Sequence, residues 1–165
     1  MQLPIRKRIR LENYDYCAPG FYFVTICTKD KQKWLCDIVG TVVLDGPQVQ
    51  YTNYGRIAAK YLDDMSDFYD DIKIDKYVIM PNHIHLLIHI LSKSDRPSGT
   101  TIPTQAKVGR FVGSFKRLTN RKYGFNIWQS RSHDHVVRNE RDYLRIWQYI
   151  DNIPARWAED CFYVE

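Results

Sequence analysis

With 24 lysines and arginines against 19 acidic side chains, this 165-residue chain carries a net charge of +5 and is long enough to bury a core as one domain. No apolar run reaches the ~18 residues a bilayer crossing needs, and the basic opening stretch Met1–Arg10 leads into no apolar segment, which argues against membrane insertion and export. Four cysteines (Cys17, Cys27, Cys36, Cys161) without CxxC spacing speak against a zinc knuckle or a disulfide framework and for free thiols in a reducing cytoplasm.

Taken in chain order, Phe21–Thr28 is dense in aromatic and β-branched residues after Pro19-Gly20 and reads as a strand. Ile38–Leu44, closed by Asp45-Gly46-Pro47, is a weaker one. Tyr54–Met65 places Ile57, Ala58, Tyr61, Leu62 and Met65 at helical spacing, with Asn53 as its expected N-cap. Six aspartates between Asp63 and Asp75 mark a solvated helix end and loop. Two strands follow, Ile72–Met80 and His83–Leu91, with Pro81-Asn82 between them, because a proline cannot donate to a ladder.

The second of these strands carries His83 and His85. Side chains alternate along a strand, so the two imidazoles project to one face, about 7 Å apart, while Ile84 and Leu86 project to the other. Such a pair can form half of a divalent-metal site. His89 shares their side of the strand and reads as a strand-end histidine.

Ser92–Pro103 lacks periodicity and reads as loop. Thr104–Tyr123 is the clearest helix, with Val108, Phe111, Val112, Phe115 and Leu118 as its apolar stripe. Lys107, Arg110, Ser114, Arg117 and Arg121 fall at alternating steps of three and four, which predicts four cations and a serine on one exposed line. From Gln105 to Arg145 ten basic residues face only three acids, and Lys116, Lys122, Arg131 and Arg138 belong to that excess. Basic charge concentrated in one half of a chain points to a polyanion, most often nucleic acid. His133 and His135 lie in this region, suited to a DNA contact or to local hydrogen bonds.

Asn139 is expected to cap a last helix whose apolar side is Tyr143, Ile146, Trp147 and Ile150, and Pro154 should stop or kink it near Asn152. Trp128, Trp147 and Trp157 read as core. Tyr149, one of twelve tyrosines, falls on the polar side of that helix with Asp142 and Arg145. A phenolate can attack a phosphodiester and form a covalent phosphotyrosine, so Tyr149 is the candidate nucleophile, with Tyr143 as the fallback. The element order predicts an α+β fold: an antiparallel sheet with helices packed on one face.

The set Met80-Pro-Asn-His-Ile-His-Leu-Leu87, Ser114-Phe-Lys116, Ile127-Trp-Gln129, Asp134-His-Val-Val-Arg138, Asp142-Tyr143 and Tyr149-Ile-Asp-Asn-Ile-Pro154 resembles the single-tyrosine HUH transposases, in particular their REP-associated tyrosine transposase branch. The likeness runs from about Gly20 to Trp157, leaving a basic arm over residues 1–12 outside it. It implies a ferredoxin-like, RRM-like sheet with the catalytic tyrosine on a C-terminal helix, in a single transposase domain over 1–165. It implies that His83 and His85 bind Mg²⁺ or Mn²⁺, and that Tyr149 cuts single-stranded DNA to leave a 5′-phosphotyrosine and a free 3′-OH. The substrates it implies are DNA hairpins with flanking single strands, held by Lys107, Arg110, Lys116, Arg117, Arg121, Arg131 and Arg138. No nucleotide cofactor and no membrane partner are expected, and the setting would be the prokaryotic cytoplasm at the nucleoid. Relatives act as monomers or as homodimers in which the tyrosine helix reaches the partner's histidines, and the sequence leaves that choice open.

Two positions depart from the family pattern. A glutamine or asparagine four residues after the tyrosine usually completes the metal shell, and here that position is Ile153, which cannot coordinate; Asn152 is the expected substitute. Ser132 stands where a bulky aromatic is expected. Two alternatives therefore accompany the transposase reading: a catalytically impaired single-stranded DNA or hairpin-binding protein, and a hydrolase that activates water with the histidine pair.

Overall fold

A computed structural model describes residues 19–40, 46–91 and 107–164. The basic arm 1–12, Cys17, the end of the second expected strand, the loop Ser92–Pro103 and the first residues of the Thr104 helix lie outside the described residues. Six strands and three α-helices are present among the described ones: β1 (Gly20–Cys27), β2 (Cys36–Val39), β3 (Gln48–Tyr51), α1 (Asn53–Phe68), β4 (Ile72–Met80), β5 (His83–Ile90), α2 (Lys107–Tyr123), β6 (His133–Val137) and α3 (Glu140–Asn152).

Four strands form an antiparallel sheet in the order β4-β5-β1-β6. With β2 and β3 set aside as a separate hairpin, the chain runs βαββαβ, the ferredoxin-like arrangement. Strand alternation gives the sheet two different faces. Tyr22, Val24 and Ile26 of β1 and Ile84, Leu86, Ile88 and Ile90 of β5 point to one side, where α1 and α2 cover them with Ala58, Leu62, Phe111 and Phe115. This is the expected sheet with helices on one face. The other side carries Phe21, Phe23, Leu87 and the histidines, and α3 lies across part of it through Tyr143, Ile146, Trp147 and Ile150.

Several local features refine the sequence reading. Thr52, not Asn53, caps α1, because its hydroxyl accepts from the Gly55 amide at 3.2 Å while also donating toward the carbonyls of Trp34 and Leu35. Gly55 packs so closely on the chain at Leu35 that a Cβ would run into the Leu35 carbonyl. Strands β3 and β6 have no counterpart in the sequence reading. Each is only four or five residues long, and β6 is interrupted by charge and imidazole. Asn139 caps α3 as expected, accepting from the Asp142 amide at 2.9 Å, and α3 ends at Asn152 in a 3-10 segment, Ile153–Glu159, that contains Pro154.

One irregularity in β4 bears on α3. The register against β5 shifts between Ile74 and Lys76, leaving Asp75 as an extra residue in a β-bulge. Asp75 accepts a hydrogen bond from the Tyr143 hydroxyl at 3.0 Å. Lys76 lies 4.1 Å from the centre of the Trp147 ring and 2.5 Å from the Asp151 carboxylate. The two residues of the bulge thus hold both ends of α3.

Candidate active site

β5 turns His83 and His85 away from the α1–α2 core, and both imidazoles are nonetheless fully buried, under α3 and the segment that follows it. Asn82 fixes the first of them. Its amide nitrogen donates to the carbonyls of Phe162 (2.8 Å) and Lys31 (3.3 Å), so its carbonyl oxygen is the atom facing His83 Nδ1 at 2.9 Å. Nδ1 must carry the proton, and His83 Nε2 presents a bare lone pair. His85 Nδ1 is 2.9 Å from the Thr25 hydroxyl, its register partner on β1, an arrangement that frees Nε2 of this ring when the hydroxyl accepts. The two Nε2 atoms are 3.0 Å apart.

Burial disfavours the imidazolium in both rings. It pulls His83 down to about 2, with the neighbouring His85 adding to the effect, and His85 to about 3, so both are neutral across the physiological range. A third group joins them from the far end of the chain. Asp160, at the close of the 3-10 segment, places Oδ2 3.3 Å from His83 Nε2, and its side chain is fully buried. Its Oδ1 accepts from the Phe162 amide at 3.0 Å, while Oδ2 has no hydrogen-bond donor among the described residues. The short Asp160–His83 distance is not an ion pair, since a neutral ring protonated on Nδ1 has no proton to offer there.

Nε2 of His83, Nε2 of His85 and a carboxylate oxygen of Asp160 lie within 4.8 Å of one another, a grouping able to hold a metal ion. The donor set fits a divalent cation on two grounds. Neighbouring donors around an ion with bonds of about 2.1 Å sit roughly 3 Å apart, which matches the observed separations of 3.0 and 3.3 Å. Each ring is also oriented through its other nitrogen, the usual support for a ligating histidine.

Tyr149 meets this cluster from α3. Its hydroxyl is 3.3 Å from His85 Nε2, its ring packs edge-on to Phe23 (6.0 Å between centroids), and it keeps 38% of its surface exposed. Burial of the rest, with the charge of Asp160 and the thiol of Cys161 beside it, pushes the phenol up to about 12. Outside the ring, a cleft of about 460 Å³ is lined by Arg145, Gln148, Tyr149, Asn152, Arg156 and Asp160. Tyr149 forms part of its wall.

Of the residues singled out in the sequence, His83, His85 and Tyr149 come together. Asn152 is exposed and lines the cleft, and Ile153 is buried. Tyr143 is occupied with Asp75. His89 stacks on Phe21 at 4.1 Å, and His135 bonds Asp142 at 2.9 Å.

The expected basic line on α2 is incomplete. Lys107 is buried and paired with Asp71 at 2.9 Å, so it does not belong to an exposed face; the helical step was right, but a carboxylate 36 positions earlier in the chain drew the residue inward. Lys116 is half-buried, donating to the carbonyls of Gln129 (2.8 Å) and Arg131 (3.0 Å), and burial lowers its ammonium to about 8. Arg117, Arg121, Arg131 and Arg138 are exposed and Arg110 is half-buried. Sequence reasoning missed Asp160, and nothing in its flanks, Glu159 and Cys161, marks it.

No protein-family profile matches the chain. A Haemophilus influenzae protein of uncharacterised function is 34% identical over 175 residues, spanning 97% of this chain and 94% of its own length. A second protein of that organism, provisionally named a REP-associated tyrosine transposase, is 28% identical over 153 residues, 88% of this chain and 77% of its own. Among solved structures, a REP-associated tyrosine transposase bound to a REP hairpin superposes with a TM-score of 0.62 at 18% identity, covering 90% of this chain and 73% of the other, which shows a common fold. In sequence and in fold it is similar to REP-associated tyrosine transposases.

Proposed function

We propose that the protein nicks and rejoins single-stranded DNA beside hairpins through a covalent tyrosine intermediate, in the manner of a single-tyrosine HUH transposase. The observation that carries this reading is the approach of the Tyr149 hydroxyl to His85 Nε2, 3.3 Å, which sets a nucleophile against a neutral imidazole pair in an open cleft. The hairpin enters by likeness: the solved structure sharing this fold is of a REP-associated tyrosine transposase bound to a REP hairpin.

The phenol oxygen attacks a backbone phosphorus, the bond to the 3′ oxygen breaks, and the products are a 5′-phosphotyrosine and a free 3′-OH. The exposed edge of Tyr149 lets its proton pass to water, and the departing oxygen takes one up. Attack by a 3′-OH reverses the step and rejoins the strand, which is why no nucleotide cofactor is required. His83 and His85 would hold Mg²⁺ or Mn²⁺, which supplies charge stabilisation at the phosphate when bound. Phe23 packs against both the His85 ring (5.0 Å between centroids) and Tyr149, and so keeps the nucleophile beside the pair. Arg117 and Arg121 on α2, with Arg131 and Arg138 at the two ends of edge strand β6, supply backbone contacts. Lys107 is withdrawn from that set, and Lys116 acts through the Gln129–Arg131 segment that it pins.

An end-labelled hairpin oligonucleotide with a single-stranded flank, incubated with Mn²⁺, tests this. A covalent protein–DNA adduct that Tyr149→Phe abolishes is the expected result, and an undiminished adduct in that variant removes Tyr149 from its role. Steeply salt-dependent hairpin binding without an adduct would favour the binding-protein alternative. Cleavage that survives loss of Tyr149 would favour the hydrolase.

A further inference from the structure

We infer that Asp160 is the third metal ligand, so that the ion is held between strand β5 and the segment after α3 rather than by a side chain of the tyrosine helix. The inference rests on the metal-dependent reading above and deepens it.

The starting point is a conflict of lone pairs. Asn82 fixes the proton of His83 on Nδ1, so Nε2 is an acceptor, and when the Thr25 hydroxyl accepts from His85 Nδ1 the nearby His85 Nε2 is an acceptor too. Opposite His83 Nε2, 3.3 Å away, is a carboxylate oxygen that is fully buried and has no hydrogen-bond donor among the described residues. Two buried acceptors facing each other repel, and burying a carboxylate oxygen without a partner is strongly disfavoured. A cation between them turns both penalties into bonds. His85 Nε2, 3.0 Å from His83 Nε2, completes a triangle of donors on one spot.

The geometry of the tail shows how Asp160 is delivered. The Phe162 amide engages Oδ1 and leaves Oδ2 turned to the histidines, and the Phe162 carbonyl is tied to the Asn82 amide. The Phe162 ring lies against His83, 4.6 Å between centroids. Asn82 is thus a positioning residue for two ligands at once: it sets the lone pair of His83 and anchors the turn that presents Asp160. Of the helix positions, Ile153 is apolar and Asn152 is exposed on the cleft, whereas Asp160 is buried against the pair. A two-nitrogen, one-carboxylate set leaves positions open on a six-coordinate ion, as a phosphate-binding centre needs.

The test is Mn²⁺ binding by the full chain without DNA, followed by electron paramagnetic resonance and by water-proton relaxation. The wild type should bind. Asp160→Asn should weaken binding about ten- to a hundredfold or more and raise the number of exchangeable waters on the remaining bound ion, whereas Asn152→Ala should change neither. Asp160→Cys provides a second readout: with Co²⁺ it should show a thiolate-to-metal absorption band that the wild type, which already has Cys161, lacks. Wild-type affinity in Asp160→Asn together with no such band in Asp160→Cys would overturn the inference while leaving the metal reading intact. If the wild type binds no Mn²⁺, the metal reading itself fails and takes this inference with it.

Discussion

Tyr149 and His85 are 64 positions apart in the chain, and the hydroxyl of one lies 3.3 Å from Nε2 of the other. The proposed strand cleavage depends on that approach. Because Tyr149 keeps 38% of its surface exposed and its hydroxyl makes only this long contact among the described residues, Tyr149→Phe should leave stability within roughly 0.5 kcal/mol of wild type while cutting adduct formation at least about 10³-fold. Urea unfolding and a denaturing gel of labelled adduct measure the two quantities. A large loss of stability would mean that the tyrosine is structural.

The histidine pair should make the protein acid-sensitive. Burial, and for His83 the adjacent His85, holds the folded-state values at about 2 and about 3, below the ordinary 6.5 that each recovers on unfolding. The unfolded chain therefore takes up these protons first as pH falls. The stability they permit is fully present above about pH 6.5 and is lost between there and pH 3, with a slope approaching about 1.4 kcal/mol per pH unit for each ring. Urea midpoints at pH 7 and pH 5 should differ accordingly, and the His83→Asn/His85→Asn double variant should flatten the difference. An unchanged slope in that variant would assign the sensitivity to other groups.

Gly55 should be intolerant of any side chain. A Cβ there meets the backbone carbonyl of Leu35, which is itself bonded to the Thr52 amide at 3.0 Å and cannot swing away. Gly55→Ala should cost about 3 kcal/mol despite the better helix propensity of alanine, and should do so without altering DNA affinity per folded molecule. A neutral result in a thermal melt would show that the β2–β3 hairpin can shift as a unit.

Lys107 and the exposed arginines of α2 should separate cleanly in experiment. Lys107→Ala strands the buried Asp71 carboxylate and should destabilise by about 3–5 kcal/mol, leaving the salt dependence of hairpin binding as it was. Arg117→Ala and Arg121→Ala should barely move stability, and each should reduce the slope of log K against log salt by about one. A reduced slope in Lys107→Ala would return that residue to the DNA-contacting face.

What was legible in the sequence was what is local. The alternation of β5 announces two histidines on one face, and the spacing of Tyr143, Ile146 and Ile150 sets α3 on its apolar side and leaves Tyr149 toward the cleft. The N-cap of α1 slipped by one residue because Thr52 and Asn53 are both good caps and only the chain at Leu35 decides between them. Lys107 went inward, and Asp160 came to the histidines, for a different reason. Their partners lie 36 and 77 positions away in the chain, and no periodicity encodes a contact across such distances. Strand β6 was missed because a strand of five residues owes its existence to the pairing of Phe21–Thr25 with it, not to its own composition.

The extra residue in β4 works as a gauge for the chemistry. Asp75 and Lys76 seize α3 at Tyr143, Trp147 and Asp151, so the axial setting of the helix is indexed to a sheet edge rather than to the soft apolar contact beneath it. Apolar side chains would tolerate a helix displaced by one turn, about 5.4 Å, but the nucleophile would then stand well clear of His85. Removing Asp75 would let β4 run straight and take that index away. Loss of a single residue at an outer strand, far from any reacting atom, would thereby uncouple the cutting group from its partner while both remain intact.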